Sequence, residues 1–221
     1  MERHVDQDMD RIRQSILKMG AKAEEIVAVA IRALIDRDEV LTESVFDKDK
    51  EIDRLEIEID KDCERIMATQ QPTAGDMRFL VAAMKINTDL ERIGDSAVNI
   101  AEAVRVLNEL SPLKPYIDIS KMSEMAREML RSSLAAYVDG NTQLAMEVCR
   151  TDDEVDALFE QLFRELLTYM IERPDNITRC LQLLFIASNL ERVADHATNI
   201  GEDVIFMIEG RDIRHLQASS A

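Results

Sequence analysis

The sequence predicts an all-α protein of six helices, arranged as two tandem antiparallel three-helix bundles that arose by internal duplication. Apolar residues recur at steps of three and four along the chain, which is the period of one helix face. Glycine and proline, which interrupt helices, number only six and four in 221 residues. Residues 89–102, DLERIGDSAVNIAE, return as residues 189–202, NLERVADHATNIGE, with eight of fourteen positions identical. A repeat of this length indicates a repeated architecture.

The first half of the chain predicts three helices and a linker. Apolar residues from Ile12 to Leu34 lie on one stripe, and Thr42 is typical of a helix start. Proline and glycine then mark the breaks between helices. The predicted segments are a helix over 12–34, a helix from near 41 to a break at 70–75, a helix from about 76 to 107, and a linker at 108–116.

The second half repeats this plan. Its predicted segments are a helix from about 120 to 138, a turn at 139–141, a long helix to about 172, a break at 173–175, and a last helix to about 208. Short connections between such helices favour antiparallel neighbours. We therefore expect two domains, one over residues 1–110 and one over residues 111–221.

Composition excludes several classes of partner. The formal net charge is −17, whereas nucleic acids and anionic lipid surfaces are bound by cationic patches. An acidic chain suits divalent cations or basic protein surfaces. Hydrophobic residues make up 46% of the chain, which is enough for a folded core.

Three features predict a cytoplasmic protein. The longest uncharged run, residues 180–190, is too short to span a bilayer. The N-terminus is acidic and lacks the basic and apolar regions of a signal peptide. Cys63, Cys149 and Cys180 occupy apolar positions of the helical pattern and are expected to be buried free thiols.

Pairs of acidic residues four apart lie on one helix face, with Cβ atoms about 5–6 Å apart. Such pairs are common in this acidic chain, and most of them change between the two halves; for example, Glu58/Asp62 becomes Gln161/Glu165. The pairs that survive at matched positions are Asp49/Asp53 with Asp152/Asp156, and Glu91/Asp95 with Glu191/Asp195. The duplication therefore selects eight candidate site residues.

The spacing of these pairs around the helix turns predicts that they meet. The midpoints of the first two pairs, residues 51 and 93, each lie 21 residues from Pro72. In the second half the midpoints, 154 and 193, lie equally far from the break at 173–175. Residues equally far from the turn of an antiparallel hairpin lie at one level, here roughly 30 Å along the helices. Each half should thus bring four carboxylates together.

Crowded carboxylates need a compensating charge or a proton. Two unit charges about 4 Å apart cost roughly 4 kcal/mol at an effective dielectric near 20. Arg92 and Arg192 recur beside the glutamates but point about 100° away around the helix. Oxygen-only ligation suits Mg²⁺, Mn²⁺, Ca²⁺ or iron. The alternative is a solvated acidic ridge. Asn99 and Asn199 continue the same stripe one turn on and are expected to support the ligands rather than to bind the ion.

The residues offer little for catalysis. A ferritin-like di-iron centre would need Glu-x-x-His on two helices, and none of His4, His196 and His215 completes that motif. His196 follows Asp195, but its counterpart is Ser96, so no role is predicted for it. There is no phosphate-binding glycine loop and no nucleophile elbow.

The repeated acidic motifs resemble those of the PhoU family. The first copy, KINTDLERIGD at residues 85–95, carries the resemblance most clearly, and the similarity extends over nearly the whole chain. It implies two tandem three-helix bundles, each with a multinuclear metal site. Iron or zinc are associated with such sites, and manganese or magnesium are further candidates. The matching positions are Asp49, Asp53, Glu91, Asp95, Asp152, Asp156, Glu191 and Asp195.

The second copy departs from the motif, because Ala194 replaces glycine and His196 follows the aspartate. The resemblance also implies a function: a cytoplasmic, dimeric and non-enzymatic negative regulator of phosphate uptake. Such a regulator connects the ATPase of the phosphate ABC transporter with a phosphate-sensing histidine kinase and is at most peripheral to the membrane. The alternative from another functional class is a carboxylate-bound metal enzyme or metal buffer.

Overall fold

The computed structural model describes residues 4–213, which form six α-helices and one short 3₁₀ turn and contain no β-strand. The helices are α1 (His4–Asp36), α2 (Glu39–Thr69), α3 (Ala74–Asn108), α4 (Ile117–Asp139), α5 (Thr142–Glu172) and α6 (Ile177–Glu209), and the turn spans Pro174–Asn176. The predicted all-α class with six helices is confirmed. Helices α1–α3 and α4–α6 form the two three-helix units.

A side-chain cap sets the start of α2 slightly earlier than predicted. The Asp38 carboxylate accepts hydrogen bonds from the backbone N–H groups of Val40 and Leu41, at 2.8 and 3.0 Å. Helix α2 therefore begins at Glu39, and Thr42, the predicted start, lies inside its first turn. Because an aspartate satisfies the free N–H groups of a first turn as well as a threonine does, both residues give the same sequence signal.

The turn between α1 and α2 is held by an arginine in an unusual backbone conformation. Arg37 has a φ of 54°, in the left-handed region, at the position where the second half has Gly140 with a φ of 61°. Its guanidinium donates to the carbonyl oxygens of Leu107, Asn108 and Leu110 at 3.2, 2.7 and 2.6 Å. These carbonyls lie at the end of α3 and just beyond it, so one side chain joins the first turn to the C-terminus of the third helix.

The predicted apolar stripe of α1 forms part of the core. The residues of the stripe are at most 1% exposed: Ile12, Ile16, Met19, Ala23, Ile26, Val27, Ala30 and Leu34. The core continues without interruption through both three-helix units. All three cysteines are buried free thiols, as predicted. Within residues 4–213, no helix has a stretch of sufficient length and hydropathy to cross a membrane.

Helices α3 and α6 join the two units along a contact that we call the α3–α6 seam. Four side-chain pairs form it: Lys85–Asp203, Asp89–His196, Asp89–Asn199 and Asn99–Asn189. The Lys85 ammonium group donates to Asp203 at 2.8 Å, and an Asn99 nitrogen donates to Asn189 at 3.2 Å. As numbers rise along α3 they fall along α6, so the two helices are antiparallel. Asn189 and Asn199 are the counterparts of Asp89 and Asn99, and the seam therefore relates the two units by an approximate two-fold axis.

Helices α1 and α4 make a second contact between the units, with a close approach at Gly20. A Cβ atom on Gly20 would lie 2.3 Å from Cδ1 of Leu134, so the absence of a side chain there permits the close approach. Arg127 on α4 donates to Glu24 on α1 at 2.9 Å. The rings of Phe79 and Tyr137 also stack between the units, with centroids 6.1 Å apart. The boundary between residues 1–110 and 111–221 remains a prediction, since these contacts bind the two halves closely.

Candidate metal centres

The first acidic cluster consists of Asp49 and Asp53 on α2 and of Glu91 and Asp95 on α3. The structure brings these carboxylates together across the α2–α3 hairpin. Burial, and then the charges of Asp53 and Asp95, raise the pKa of Asp49 to about 6. Burial, and then the charges of Asp95, Glu56 and Asp53, raise the pKa of Glu91 to about 7. This arrangement agrees with the equal distance of the two pairs from Pro72.

Two further carboxylates, Glu56 and Asp60, extend the first cluster along α2. Burial raises the pKa of Glu56, and the charges of Asp60 and Asp53 add to the shift. Asn87 donates to the Asp60 carboxylate at 3.0 Å. Sequence reasoning missed both residues because their counterparts are phenylalanines, so the duplication filter removed them. The available signal was the position of Glu56, three residues after Asp53 on the same helix face.

Gly94 lets α3 approach the first cluster closely. A Cβ atom at this position would lie 2.9 Å from Oδ1 of Asp49 and 3.2 Å from Cδ1 of Ile52. Real Cβ contacts are longer, so an alanine here would displace the Asp49 carboxylate or the isoleucine. The second half has Ala194 at this position. In the first cluster the backbone of α3 therefore lies directly against the Asp49 carboxylate, whereas in the second cluster the methyl group of Ala194 occupies the corresponding position.

The second acidic cluster consists of Asp152 and Asp156 on α5 and of Glu191 and Asp195 on α6. Burial, and then the charges of Asp195, Asp156 and Asp153, raise the pKa of Asp152 to about 7. Burial also raises the pKa of Glu191, with smaller contributions from Asp195 and Asp156. The pKa of Asp195 is raised by burial and by Asp156. The structure thus brings together all four predicted residues of the second half.

One oxygen of the second cluster is poorly satisfied. Oδ1 of Asp152 is buried and makes no hydrogen bond of good geometry within the described residues, although the nearby Thr198 hydroxyl opposes the rise in the pKa of Asp152. A buried carboxylate oxygen with only a weak donor beside it is costly, because it has lost its hydration and gained little in exchange. A bound cation or a proton would remove that cost.

A polar cavity of about 770 Å³ lies between the two clusters, at the centre of the α3–α6 seam. Asp95 of the first cluster and Asp152 and Asp195 of the second line it, together with Arg92 and Arg192. Burial dominates the raised pKa of Glu91 and of Glu191, and the adjacent arginine opposes that rise in each case. The duplicated arginines therefore face the space between the clusters and offset part of their negative charge.

The seam residues give His196 a role that the sequence did not predict. Its Nδ1 lies 2.8 Å from Oδ1 of Asp89, and Asn199 donates to the same carboxylate oxygen at 3.3 Å. Asn99 bonds to Asn189. The two repeated asparagines therefore hold α3 against α6, and their bonds do not support the cluster carboxylates. His215 lies outside the described residues.

The chemistry of the clusters suits a hard cation, but the side-chain rotamers in this structure do not bring the carboxylates to one point. Their donors are carboxylate oxygens, the charge is concentrated, and one buried oxygen is poorly satisfied, all of which suit ions such as Mg²⁺, Mn²⁺ or iron. In residues 4–213, however, no three His, Cys, Asp or Glu side chains converge closely enough to hold an ion. Ion binding would therefore require the carboxylates to rotate towards a common point.

The described thiols are unsuited to nucleophilic catalysis. Burial raises the pKa of Cys63 to about 12 and that of Cys149 to about 11, and it also raises the pKa of Cys180. A thiolate, rather than a thiol, is the reactive form, so these cysteines are inert.

The raised carboxyl pKa values predict an unusual pH dependence for the metal-free protein. Unfolded aspartate and glutamate titrate near pH 4, whereas Asp49, Glu91 and Asp152 titrate at about 6, 7 and 7 when folded. Between these limits the folded state binds more protons than the unfolded state, so the free energy of unfolding should fall as the pH rises from 5.5 to 8. Urea denaturation in the presence of a chelator measures this.

The variant Glu91→Gln/Asp152→Asn is the control for that experiment. It removes two of the titrating groups while keeping similar shapes, so its stability should vary less with pH over the same range. A wild-type stability that is constant or increases from pH 5.5 to 8 would contradict the electrostatic description of the clusters.

Comparison with known proteins identifies the family. The family model described as the PhoU domain matches the chain twice, over residues 16–104 and 119–204. A relative from Zymomonas mobilis, the phosphate-specific transport system accessory protein PhoU homolog, is 42% identical over 94% of this chain and 88% of its own length. The relative of the same name from Aquifex aeolicus is also 42% identical, over 94% of each chain.

Solved structures agree with this result. The crystal structure of PhoU from Pseudomonas aeruginosa matches with a TM-score of 0.90 and 35% identity, covering 93% of this chain and 99% of that one. The phosphate transport system regulatory protein PhoU from Streptococcus pneumoniae matches with a TM-score of 0.89 and 28% identity, covering 95% and 99%. The duplicated helical unit, its paired acidic motifs and these matches together show that the chain belongs to the PhoU family.

Proposed function

We propose that this protein is a non-enzymatic accessory regulator of phosphate-specific transport. The observation that carries the proposal is 42% identity, over 94% of the chain, to relatives named as accessory proteins of the phosphate-specific transport system. The inert thiols and the carboxylate clusters support action by binding over action by turnover. In this role the protein represses phosphate uptake and the phosphate-starvation response when phosphate is plentiful.

The proposed partners are the ATPase of the phosphate ABC transporter and a phosphate-sensing histidine kinase. An adaptor between them must present surfaces to both, and a net charge of −17 would steer basic surfaces towards it. The proposed place of action is the cytoplasm, where both of these partners have accessible domains.

Deletion of the gene tests the regulatory role. Because the protein would act as a repressor, the deletion strain should keep its starvation-induced phosphatase active in high phosphate, and a plasmid copy should switch it off again. Phosphatase activity in cells grown with excess phosphate is the measurement. Normal repression in the deletion strain, without a related gene to explain it, would show the proposal to be wrong.

We further propose one metal site per three-helix unit, formed by the two acidic clusters. A cation supplies the positive charge that the crowded carboxylates lack, and the buried Oδ1 of Asp152 would gain a partner. Asp49, Asp53, Glu91 and Asp95 would hold the first ion or group of ions. Asp152, Asp156, Glu191 and Asp195 would hold the second.

Elemental analysis tests the metal sites. The variant Glu91→Ala/Asp95→Ala should lose roughly half of the bound metal, because it disrupts one of two duplicated sites. The matched control is Glu58→Ala/Asp62→Ala, an acidic pair of the same spacing that does not recur in the second half; its metal content should equal that of the wild type. Chelation should lower the melting temperature of the wild type by mass action on the folded state. Equal metal in all three proteins would remove the first site from the proposal.

The third part of the proposal is a homodimer that uses the exposed apolar face of the second hairpin. Phe163, Leu167 and Ile171 on α5 are 42%, 38% and 82% exposed, and Ile177, Leu181 and Phe185 on α6 are 43%, 52% and 46% exposed. Each set is spaced by four residues, and the two sets lie equally far from the α5–α6 turn. Exposed apolar patches of this kind mark association surfaces, and a two-fold dimer would bury the same patch on both chains.

Light scattering should give twice the mass of one chain for the wild type and the mass of a single chain for Leu181→Glu/Phe185→Glu. The charges would have to be buried in the interface, which is unfavourable without partners. The control, Met77→Glu/Val81→Glu, changes exposed apolar residues of the first half and should remain dimeric. A monomeric wild type at micromolar concentration would exclude this interface.

A further inference from the structure

Helices α4 and α5 border a groove of about 380 Å³ that none of the proposals above uses. Its floor is apolar and is formed by Met125, Met129, Leu144 and Val148. Met129 and Val148 are buried, while Met125 and Leu144 are half-buried. We call this feature the α4–α5 groove. Methionine side chains are flexible and adapt to many apolar partners, which is why they are common on surfaces that bind helices.

The margins of the α4–α5 groove are acidic. Glu128 on α4 and Glu147 and Glu154 on α5 line it, and all three are exposed. Glu128 pairs with Arg131 on its own helix at 2.6 Å. Among the residues that the structure describes, Glu147 and Glu154 make no ion pair. The groove therefore combines an apolar floor with two carboxylates, those of Glu147 and Glu154, that make no ion pair within the described residues.

In the first half of the protein, two lysine side chains cover the corresponding groove between α1 and α2. At the corresponding place between α1 and α2, Lys22 pairs with Glu51 and Lys48 pairs with Glu25. Both pairs cross from one helix to the other. The two lysines thus lay their aliphatic stems over the junction of the helices and bring their ammonium groups to carboxylates on the far side.

The second half has kept the acids and lost the lysines. Helices α1–α2 and α4–α5 match at one constant offset, the offset that relates Asp49 to Asp152. At that offset Glu25 and Glu51 correspond to Glu128 and Glu154, whereas Lys22 and Lys48 correspond to Met125 and Thr151. A third acid, Glu147, stands where the first half has Ser44. The loss of two lysines and the gain of an acid open the groove and leave Glu147 and Glu154 without an ion pair in the described part of the chain.

We propose that the α4–α5 groove binds an amphipathic helix of a partner protein, with apolar residues on one face and lysines or arginines along the borders of that face. The apolar residues occupy the floor over Met125 and Met129. The basic side chains reach Glu147 and Glu154, the two margin carboxylates that make no ion pair within residues 4–213. The partner therefore supplies in trans what Lys22 and Lys48 supply in cis to Glu51 and Glu25 in the first half.

Charge decides between this occupant and a second copy of the chain. At a net charge of −17, another copy would on average bring negative surface to an acidic groove, and like charges across an interface weaken binding. A basic amphipathic helix brings the opposite charge, which also speeds its association at low salt. The inference rests on the proposed function in one respect only, that the protein acts by binding other proteins.

A synthetic peptide tests the groove directly. The probe is a fluorescently labelled helical peptide of leucine, alanine and lysine, with leucines on one face and lysines along its borders, titrated with the purified full-length protein. Fluorescence anisotropy should show binding with one peptide per chain, weakening as salt rises. The same peptide with glutamate in place of every lysine should not bind.

Three variants with the same change in net charge assign the binding to the groove. Glu147→Gln/Glu154→Gln removes acids from the margin, and Met125→Lys/Thr151→Lys installs the two lysines of the first half. Each should weaken peptide binding at least about ten-fold, a change equivalent to roughly 1.4 kcal/mol. The control, Glu25→Gln/Glu51→Gln, removes acids from the filled groove of the first half and should change the affinity less than about two-fold. Circular dichroism confirms that each variant is folded.

Two results would overturn the inference. Equal weakening by Glu25→Gln/Glu51→Gln would show that the peptide responds only to overall charge. A loss of self-association in Met125→Lys/Thr151→Lys, seen by light scattering, would assign the groove to a second copy of the chain. The assay measures peptide binding and not phosphatase repression, so its failure would leave the proposed function untouched. Conversely, the gene deletion tests repression whether or not the groove binds a helix.

Discussion

The antiparallel packing of α3 against α6 is the constraint on which the rest of the structure depends. Each of these helices carries half of one acidic cluster, and the seam contacts, such as Lys85 with Asp203 and Asp89 with His196, fix the two helices relative to each other. The approximate two-fold relation then places both clusters beside one polar cavity. A salt bridge with one nearly buried partner gives orientation more than stability, because the cost of removing charges from water offsets much of their attraction. That is a suitable device for holding two charged sites in a fixed arrangement.

The duplication explains how much of this could be predicted from sequence. Helical periodicity and the scarcity of glycine and proline predicted six helices, and the survival of the same acidic pairs in both halves selected eight carboxylates from a very acidic chain. Their meeting across each hairpin followed from counting residues to the turns. The carboxylates of each half lie near one another because helix geometry is regular, so that position along a helix translates directly into position in space; their role as metal ligands stays a prediction.

What the sequence did not reveal lies where the two halves differ. Glu56 was missed because its counterpart is Phe159, and His196 was set aside because its counterpart is Ser96. Arg37 occupies a left-handed position where the second half has glycine, and its bonds to three carbonyl oxygens at the end of α3 involve residues about seventy positions away. Contacts of this kind depend on the relative placement of helices, which periodicity does not specify.

Differences between the copies are also the best guide to their separate roles. Features common to both, namely the acidic clusters and the arginines beside them, belong to the shared chemistry of each unit. Features present in only one copy cannot be explained by that shared chemistry. Several of them replace charged surface residues of the first half by apolar or uncharged residues in the second. On α5, Phe163 and Leu167 stand where α2 has Asp60 and Glu64, and Met125 and Thr151 stand where the first half has lysines.

These changes make the outer surface of the second unit more apolar while leaving its core and its cluster intact. Stability alone does not account for them, since exposed apolar side chains contribute little to a fold and promote association. The proposals of a dimer interface and of a helix-binding groove both rest on these differences. At the corresponding junction of the first unit, between α1 and α2, two lysines of the chain itself pair with the carboxylates across it.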